Sequence, residues 1–269
     1  MPETSERQKR EIEYHKGHAA ENTAKAASEV CFDVIENPRR RWWNAYWSTY
    51  DMLKSYDLKD RRVLVVGCGF GEDAFRIAHM GAEVHAFDIS EDIIALTQKR
   101  ATNFGYKNVS LKTMASEKLD YPDSFFDYIF CLDILHHVDI EQTTKEFVRV
   151  IKSGGHLIGD ELYTHSWMQA VRESYFIEKL IYPAMTKFIY NGKKPYITED
   201  EHKIDEDEFS IINGAMSREN IQYFNVATGR LFPDKHSILS RIDRTFMKGI
   251  LSFGKYFAGR VIFSGTVIK

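Results

Sequence analysis

The chain has 269 residues, 43% of them apolar and 28% charged, which is near the globular average and long enough to bury a substantial interior. Its net charge of -3 gives no bulk attraction to phosphates, so nucleic acid is not an expected partner. Cys31, Cys68 and Cys131 are odd in number and widely spaced, which argues against a disulfide framework or a zinc site and fits a reducing cytoplasm.

The first residues are polar and charged, unlike a secretory signal, and no run approaches the roughly 20 apolar residues that span a bilayer. From Ile12, through Tyr14 and His15, to Val34 the composition reads as helical, and Asn37-Pro38 breaks the run. Beyond the break, Trp43, Tyr46, Trp47 and Tyr50 recur at helical spacing. Such a stripe reads first as core packing. The alternative is that residues 1–58 form a helical cover that brings Tyr14, His15 or Tyr46 near a bound cation.

Next, an apolar strand from Val63 runs directly into Gly67-Cys68-Gly69-Phe70-Gly71-Glu72. Glycines at alternate positions before a helix allow positive φ and close backbone approach to a ligand, and the helix adds free N–H groups. A dinucleotide fingerprint would place its third glycine at Glu72, whose charge opposes a pyrophosphate. A second strand, Glu83 to Asp88, ends in an acid suited to ribose hydroxyls. Ser90 caps a helix with acids in its first turn, carrying Ile94, Thr97, Ala101 and Phe104 at helical spacing and ending at Gly105. Further strands are expected at Val109–Met114, Phe126–Cys131 and Gly155–Asp160. The alternation implies parallel strands, with a ligand crevice at their carboxyl ends.

Gly67-x-Gly69-x-Gly71 with Asp88, then Leu135-His136-His137-Val138 and the turn Lys152-Ser153-Gly154-Gly155, resembles the class I S-adenosylmethionine-dependent methyltransferases of the small-molecule type. The likeness runs in order from about Arg61 to Glu161. It implies an α/β, Rossmann-like fold: a seven-stranded, mostly parallel sheet with an antiparallel last strand and helices on both faces. The domain would occupy 59–269, with a substrate-cover insertion at about 162–219 and Ile221–Val226 and Arg260–Ile268 as the last strand pair. The resemblance also implies S-adenosylmethionine as cofactor. Gly67, Cys68, Gly69 and Gly71 would shape the methionyl pocket, Asp88 and Ile89 would hold the ribose, and Ala115 and Ser116 would border adenine. Cys131 and Leu132 would give backbone contacts, and Tyr14 would reach in from the cover. Ala115 stands where the family often carries an adenine-binding Asp, so Ser116, Glu117 or a carbonyl would serve.

Methyl transfer from a sulfonium needs alignment and exclusion of water more than covalent chemistry. A hydroxyl acceptor also benefits from a base. His137, after the fourth strand, is the first candidate, with His15 and Glu161 beside it and His165 and His202 further off. His137 could equally cap the next helix. Asp160, Glu161 and His165 lack a further metal ligand, and no metal is expected. The expected activity is methylation of a small or medium-sized acceptor, oxygen favoured over nitrogen or carbon, in natural-product, glycan or lipid biosynthesis. The rivals are a cofactor-binding interaction module without catalysis and a nicotinamide oxidoreductase. The helical pattern at Ile242, Phe246, Ile250 and Phe253 leaves membrane-surface contact as a minority alternative.

Overall fold

The computed structural model describes residues 4–36, 45–175, 202–224 and 253–269, together with the isolated positions 179 and 183. Trp43, the cover segment from 184 to 201 and the pattern at Ile242, Phe246 and Ile250 lie outside the described residues.

Five strands lie parallel: β1 (Arg62–Val66), β2 (Glu83–Asp88), β3 (Val109–Thr113), β4 (Phe126–Leu132) and β5 (Ile151–Leu162). Two more follow, β6 (Met216–Phe224) and β7 (Arg260–Val267), with β7 antiparallel to both β5 and β6. The order across the sheet is β3-β2-β1-β4-β5-β7-β6, so the chain reverses its winding between β1 and β4. A crevice opens at such a reversal, beyond the carboxyl ends of the strands. The sheet is thus the seven-stranded α/β arrangement with one antiparallel strand that the sequence predicts.

Both faces are covered, which explains why β1 is apolar from Val63 to Val66 rather than alternating. Val63 and Val65 pack on one side with Phe130, Ile158, Ile262 and Tyr50; Leu64 and Val66 pack on the other with Cys131, Phe147, Leu157 and Phe263. The first side is covered by α3 (Ala45–Leu53) and α4 (Glu72–His79), the second by α6 (Ile140–Val150) and α8 (Glu206–Gly214). Between them in the chain lie α5 (Glu91–Phe104) and α7 (Ser166–Arg172). At the N-terminus, α1 (Glu6–Glu21) packs against α5, followed by a 3-10 turn (Thr23–Ala27) and the short α2 (Asp33–Glu36). A last single turn, α9 (Gly254–Phe257), precedes β7.

Several local expectations shift. In α5 the Ser90 cap and the left-handed Gly105 terminus stand where predicted, but the buried face is Ile93, Thr97, Arg100 and Ala101, and Phe104 is exposed. The strand after the Lys152–Gly155 segment is longer than predicted: β5 begins at Ile151, and its register against β4 jumps from Phe126↔Ile151 to Tyr128↔His156, so the intervening residues bulge. β6 begins at Met216, inside the segment allotted to the insertion. Its exposed middle, Arg218 to Asn220, masks the strand pattern because it faces water at the sheet edge. The described part of the aromatic stripe packs on the core: Tyr50 is fully buried with its hydroxyl on Asp73, Trp47 is partly buried, and Tyr46 lies against Arg76 and outside the cleft lining.

Candidate functional site

A cleft of about 470 Å³ opens at the carboxyl ends of β1, β2, β4 and β5, within the range of small-molecule sites. Its floor is the glycine loop. Gly67, Gly69 and Gly71 all adopt positive φ, at 62°, 48° and 86°. Their roles then separate. A Cβ on Gly67 would strike Ile134 at 2.6 Å, and one on Gly71 would strike Phe75 and Thr97, so these two glycines serve packing. A Cβ on Gly69 would meet nothing within 4 Å, so the open space at this residue is cleft. That is where a ligand can approach bare backbone.

Asp88, at the end of β2, is 6% exposed and lines the cleft. One carboxylate oxygen accepts from Gly69 N–H at 3.0 Å and the other from Ser90 N–H at 3.1 Å, so the acid also fixes the loop. Burial pushes its pKa up, against the opposing pull of His15 and the amide donors. Thr97 ties the loop from below by donating to the Gly69 carbonyl at 2.8 Å. Arg100 donates to the Phe70 carbonyl at 2.8 Å and pairs with Glu72 at 3.0 Å, while Lys25 pairs with Glu72 at 3.1 Å. Burial alone would raise the Glu72 pKa, but Arg100 and Lys25 bring it below the usual carboxylate value. The Glu72 charge is therefore met by two cations. Its expected electrostatic opposition to a pyrophosphate is corrected accordingly, and what stands is that the fingerprint's third glycine is replaced by Glu72.

Of the remaining residues expected at the cofactor, Ile89, Ala115 and Ser116 line the cleft. The Ser116 hydroxyl is shared with Thr143 at 2.9 Å, so it holds the loop to α6. Cys68, Gly71, Cys131, Leu132 and Tyr14 lie outside the lining. Cys68 and Cys131 are buried, and burial pushes both thiols up, which suits packing rather than reactivity. Tyr14 packs edge-on to His15 and stacks with His18, two residues that do line the cleft.

The roof is α1, which contributes Gln8, Glu11, His15 and His18. Its start is capped by Ser5 and Gln8 in a reciprocal box, and its first turns are pinned to the β3–β4 loop through Arg7–Glu117 at 2.5 Å and Gln8–Glu117 at 3.2 Å. His137 lines the far wall, with Nδ1 3.2 Å from Glu11 of the roof. Beside it, His136 stands with Nδ1 2.5 Å from Glu161. Glu161 itself is buried outside the lining, and its carboxylate also accepts from the amides of Ile134, Leu135 and Leu162. Burial alone would raise its pKa, but the His136 and Arg260 charges hold it low. Four donors on one ionised carboxylate make Glu161 the staple of the post-β4 loop. A histidine held through one ring nitrogen has its tautomer and orientation set.

Sequence reasoning missed Asp133 and Arg260, which both line the cleft. Asp133 has φ of 51° and its Oδ1 lies 2.6 Å from Arg260, whose Nε in turn reaches Asp160 at 2.9 Å. Only the β5–β7 register, Leu162↔Arg260, brings residues so distant in sequence together. Asp160 is 1% exposed and also accepts from Thr49 at 2.8 Å. Burial, partly offset by Arg260, raises its pKa to about 6. The folded state therefore binds this proton more tightly than the unfolded chain does. The contribution to stability is full below about pH 4, falls as pH rises through about 6, and is smallest at neutral pH. Thermal unfolding of Asp160→Asn should accordingly gain on the wild type between pH 4 and 7, whereas a constant difference in Tm would contradict the raised pKa. Of the other candidates, His165 pairs with Glu206 and His202 with Glu208, both outside the cleft lining.

Residues 64–159 match the family model described as a methyltransferase domain. A curated relative, the ubiquinone biosynthesis O-methyltransferase of Yersinia pestis, is 24% identical over 156 residues, covering 52% of this chain and 64% of that protein. The chain thus spans a little under two thirds of that relative's length. Among solved structures, the cyclase SpnF is similar with a TM-score of 0.59 at 17% identity, over 98% of this chain and 97% of that one. Phosphoethanolamine N-methyltransferase 2 of Haemonchus contortus, solved with S-adenosyl-L-methionine, gives 0.57 at 14% identity over 82% and 52%. Both show the fold alone. The family match thus marks a methyltransferase domain over residues 64–159, and the sheet order and the glycine cleft agree with it.

Proposed function

We propose that this chain is a class I methyltransferase that methylates a hydroxyl on a small or medium-sized acceptor, with S-adenosylmethionine as donor. The cleft residues fit that cofactor: Gly69 offers bare backbone, Asp88 an ionisable carboxylate at the end of β2, and Ala115 and Ser116 a small-residue edge. When bound, the cofactor would supply an electrophilic methyl group, which leaves the protein to orient the acceptor and manage one proton.

The observation that carries the choice of oxygen is the pair of histidines in the cleft wall. His137 is the group assigned to take the acceptor's proton as the new bond forms, with Glu11 steadying its ring from the roof. His136 and Glu161 act through the loop, holding the backbone of Ile134 and Leu135 that carries His137. Helix α1 contributes Gln8, Glu11, His15 and His18 to the cleft lining and would narrow the access of water to a bound acceptor. Among the described residues no helix is long and apolar enough to cross a membrane, which keeps the acceptor question with the cleft. The Yersinia relative is an O-methyltransferase by name, which agrees with an oxygen acceptor.

The test is transfer of radiolabelled methyl from S-adenosylmethionine to a panel of hydroxylated compounds, with matched amines beside them. Labelled ethers are the expected products. Labelling confined to amines would overturn the oxygen assignment, and cofactor binding without transfer to any compound would favour the interaction-module rival.

A further inference from the structure

Beside the glycine loop, at the ends of β4 and β5, the cleft wall has a chemistry that the cofactor residues assigned above do not use. Asp133 follows directly on β4 and Arg260 opens β7. Asp133 adopts φ of 51°, a conformation that non-glycine residues hold only when their surroundings enforce it. The enforcement is visible: Asp133 N–H donates to the Asp160 carbonyl at 3.0 Å, and its Oδ1 takes the Arg260 guanidinium at 2.6 Å. Arg260 is fixed in turn by Asp160, which is itself held by Thr49. The consequence is a rigid couple on the cleft wall. Among the described residues, Asp133 Oδ2 and Arg260 Nη1 have no hydrogen-bond partner. One is an acceptor and the other a donor, and both belong to one ion pair.

We propose that Asp133 and Arg260 form the acceptor-positioning site of this enzyme and that it takes a vicinal diol, as on a polyol or sugar ring. One hydroxyl donates to the Asp133 carboxylate while the neighbouring oxygen accepts from the Arg260 guanidinium. A lone hydroxyl engages only half of the couple. A carboxylate meets Arg260 but is opposed by Asp133, and an ammonium meets Asp133 but is opposed by Arg260, so neither engages both halves of the couple. The inference rests on the proposed function in placing the methyl acceptor in this cleft, but the binding chemistry can be measured without any methyl transfer.

The experiment is an NMR titration of the protein, with and without S-adenosylhomocysteine, using cis-1,2-cyclohexanediol, 1,4-cyclohexanediol and cyclohexylammonium as probes. The 1,2-diol should bind at least about ten-fold more tightly than either of the others. Asp133→Asn, whose side chain tolerates the left-handed backbone, should remove that preference while keeping affinity for S-adenosylhomocysteine within about two-fold. Arg260→Lys keeps a cation beside the buried Asp160 but loses the planar fork, and should weaken the 1,2-diol selectively. Equal binding of the two diols, no binding of the 1,2-diol, or a preference that survives both substitutions would each overturn the proposal. Tighter binding of cyclohexylammonium that depends on Asp133 would overturn it in favour of an amine. Failure of S-adenosylhomocysteine to bind would count against the cofactor reading instead, and the titration without it still decides the diol site.

Discussion

His137→Asn should lower kcat for a hydroxyl acceptor by about 10²- to 10⁴-fold, the usual worth of a positioned general base, while S-adenosylhomocysteine affinity should change little. His137 lines the wall formed by the post-β4 loop, and its ring is steadied by Glu11 across the cleft. Asparagine preserves a polar group toward Glu11 but cannot take a proton near neutral pH. The loop itself should persist, because Glu161 holds the Ile134 and Leu135 amides and His136 without help from His137. Single-turnover kinetics would separate the effect on chemistry from product release. A variant that keeps more than about a third of the wild-type rate would remove His137 from the chemistry.

Asp88→Ala should lower S-adenosylhomocysteine affinity by about 100-fold or more, since a charged hydrogen bond contributes about 1.5–3 kcal/mol and two loop donors lose their acceptor as well. Gly69 N–H and Ser90 N–H both rest on this carboxylate, so its removal loosens the loop and deletes a ligand contact together. Asp88→Asn separates the parts by keeping one acceptor oxygen, and its loss should be intermediate. Because burial raises the Asp88 pKa, acidification should weaken binding to the wild type before an ordinary exposed carboxylate would protonate. Titration calorimetry at several pH values checks both points. Affinity in Asp88→Ala within about three-fold of wild type would show that the ribose is held elsewhere.

Most of the sheet was legible in the sequence because its strands are buried on both faces and so stand out as short apolar runs between helix caps. The Ser90 cap and the Gly105 terminus carry local signals that no tertiary contact overrides. The glycine loop was legible as a ligand site, but its three glycines read as equivalent. Only the contacts made by Ile134, Phe75 and Thr97 show that Gly67 and Gly71 have no room for a side chain, whereas Gly69 stays open to the cleft. Arg100 was invisible for the same reason. A basic residue in a surface-like helix gives no hint that it will be 2% exposed, bonded to Ser28 and Phe70 and paired with Glu72.

The acceptor side was the least legible. Glu161, an acid at a strand end, reads as reactive, yet the amides of the neighbouring loop take up its charge. Asp133 and Arg260 are 127 positions apart, and nothing in their local sequence announces that strand register will pair them. Spacing reveals loops that act alone; it does not reveal side chains whose meaning is set by a partner on another strand.

The most direct measurement is calorimetric titration of the purified wild type with S-adenosylhomocysteine, run beside NADH. The cleft built on Gly69 and Asp88 predicts binding near micromolar, or about -8 kcal/mol, for the first and none for the second. Binding of NADH, or a folded protein that takes up no S-adenosylhomocysteine, would contradict the assignment of this cleft.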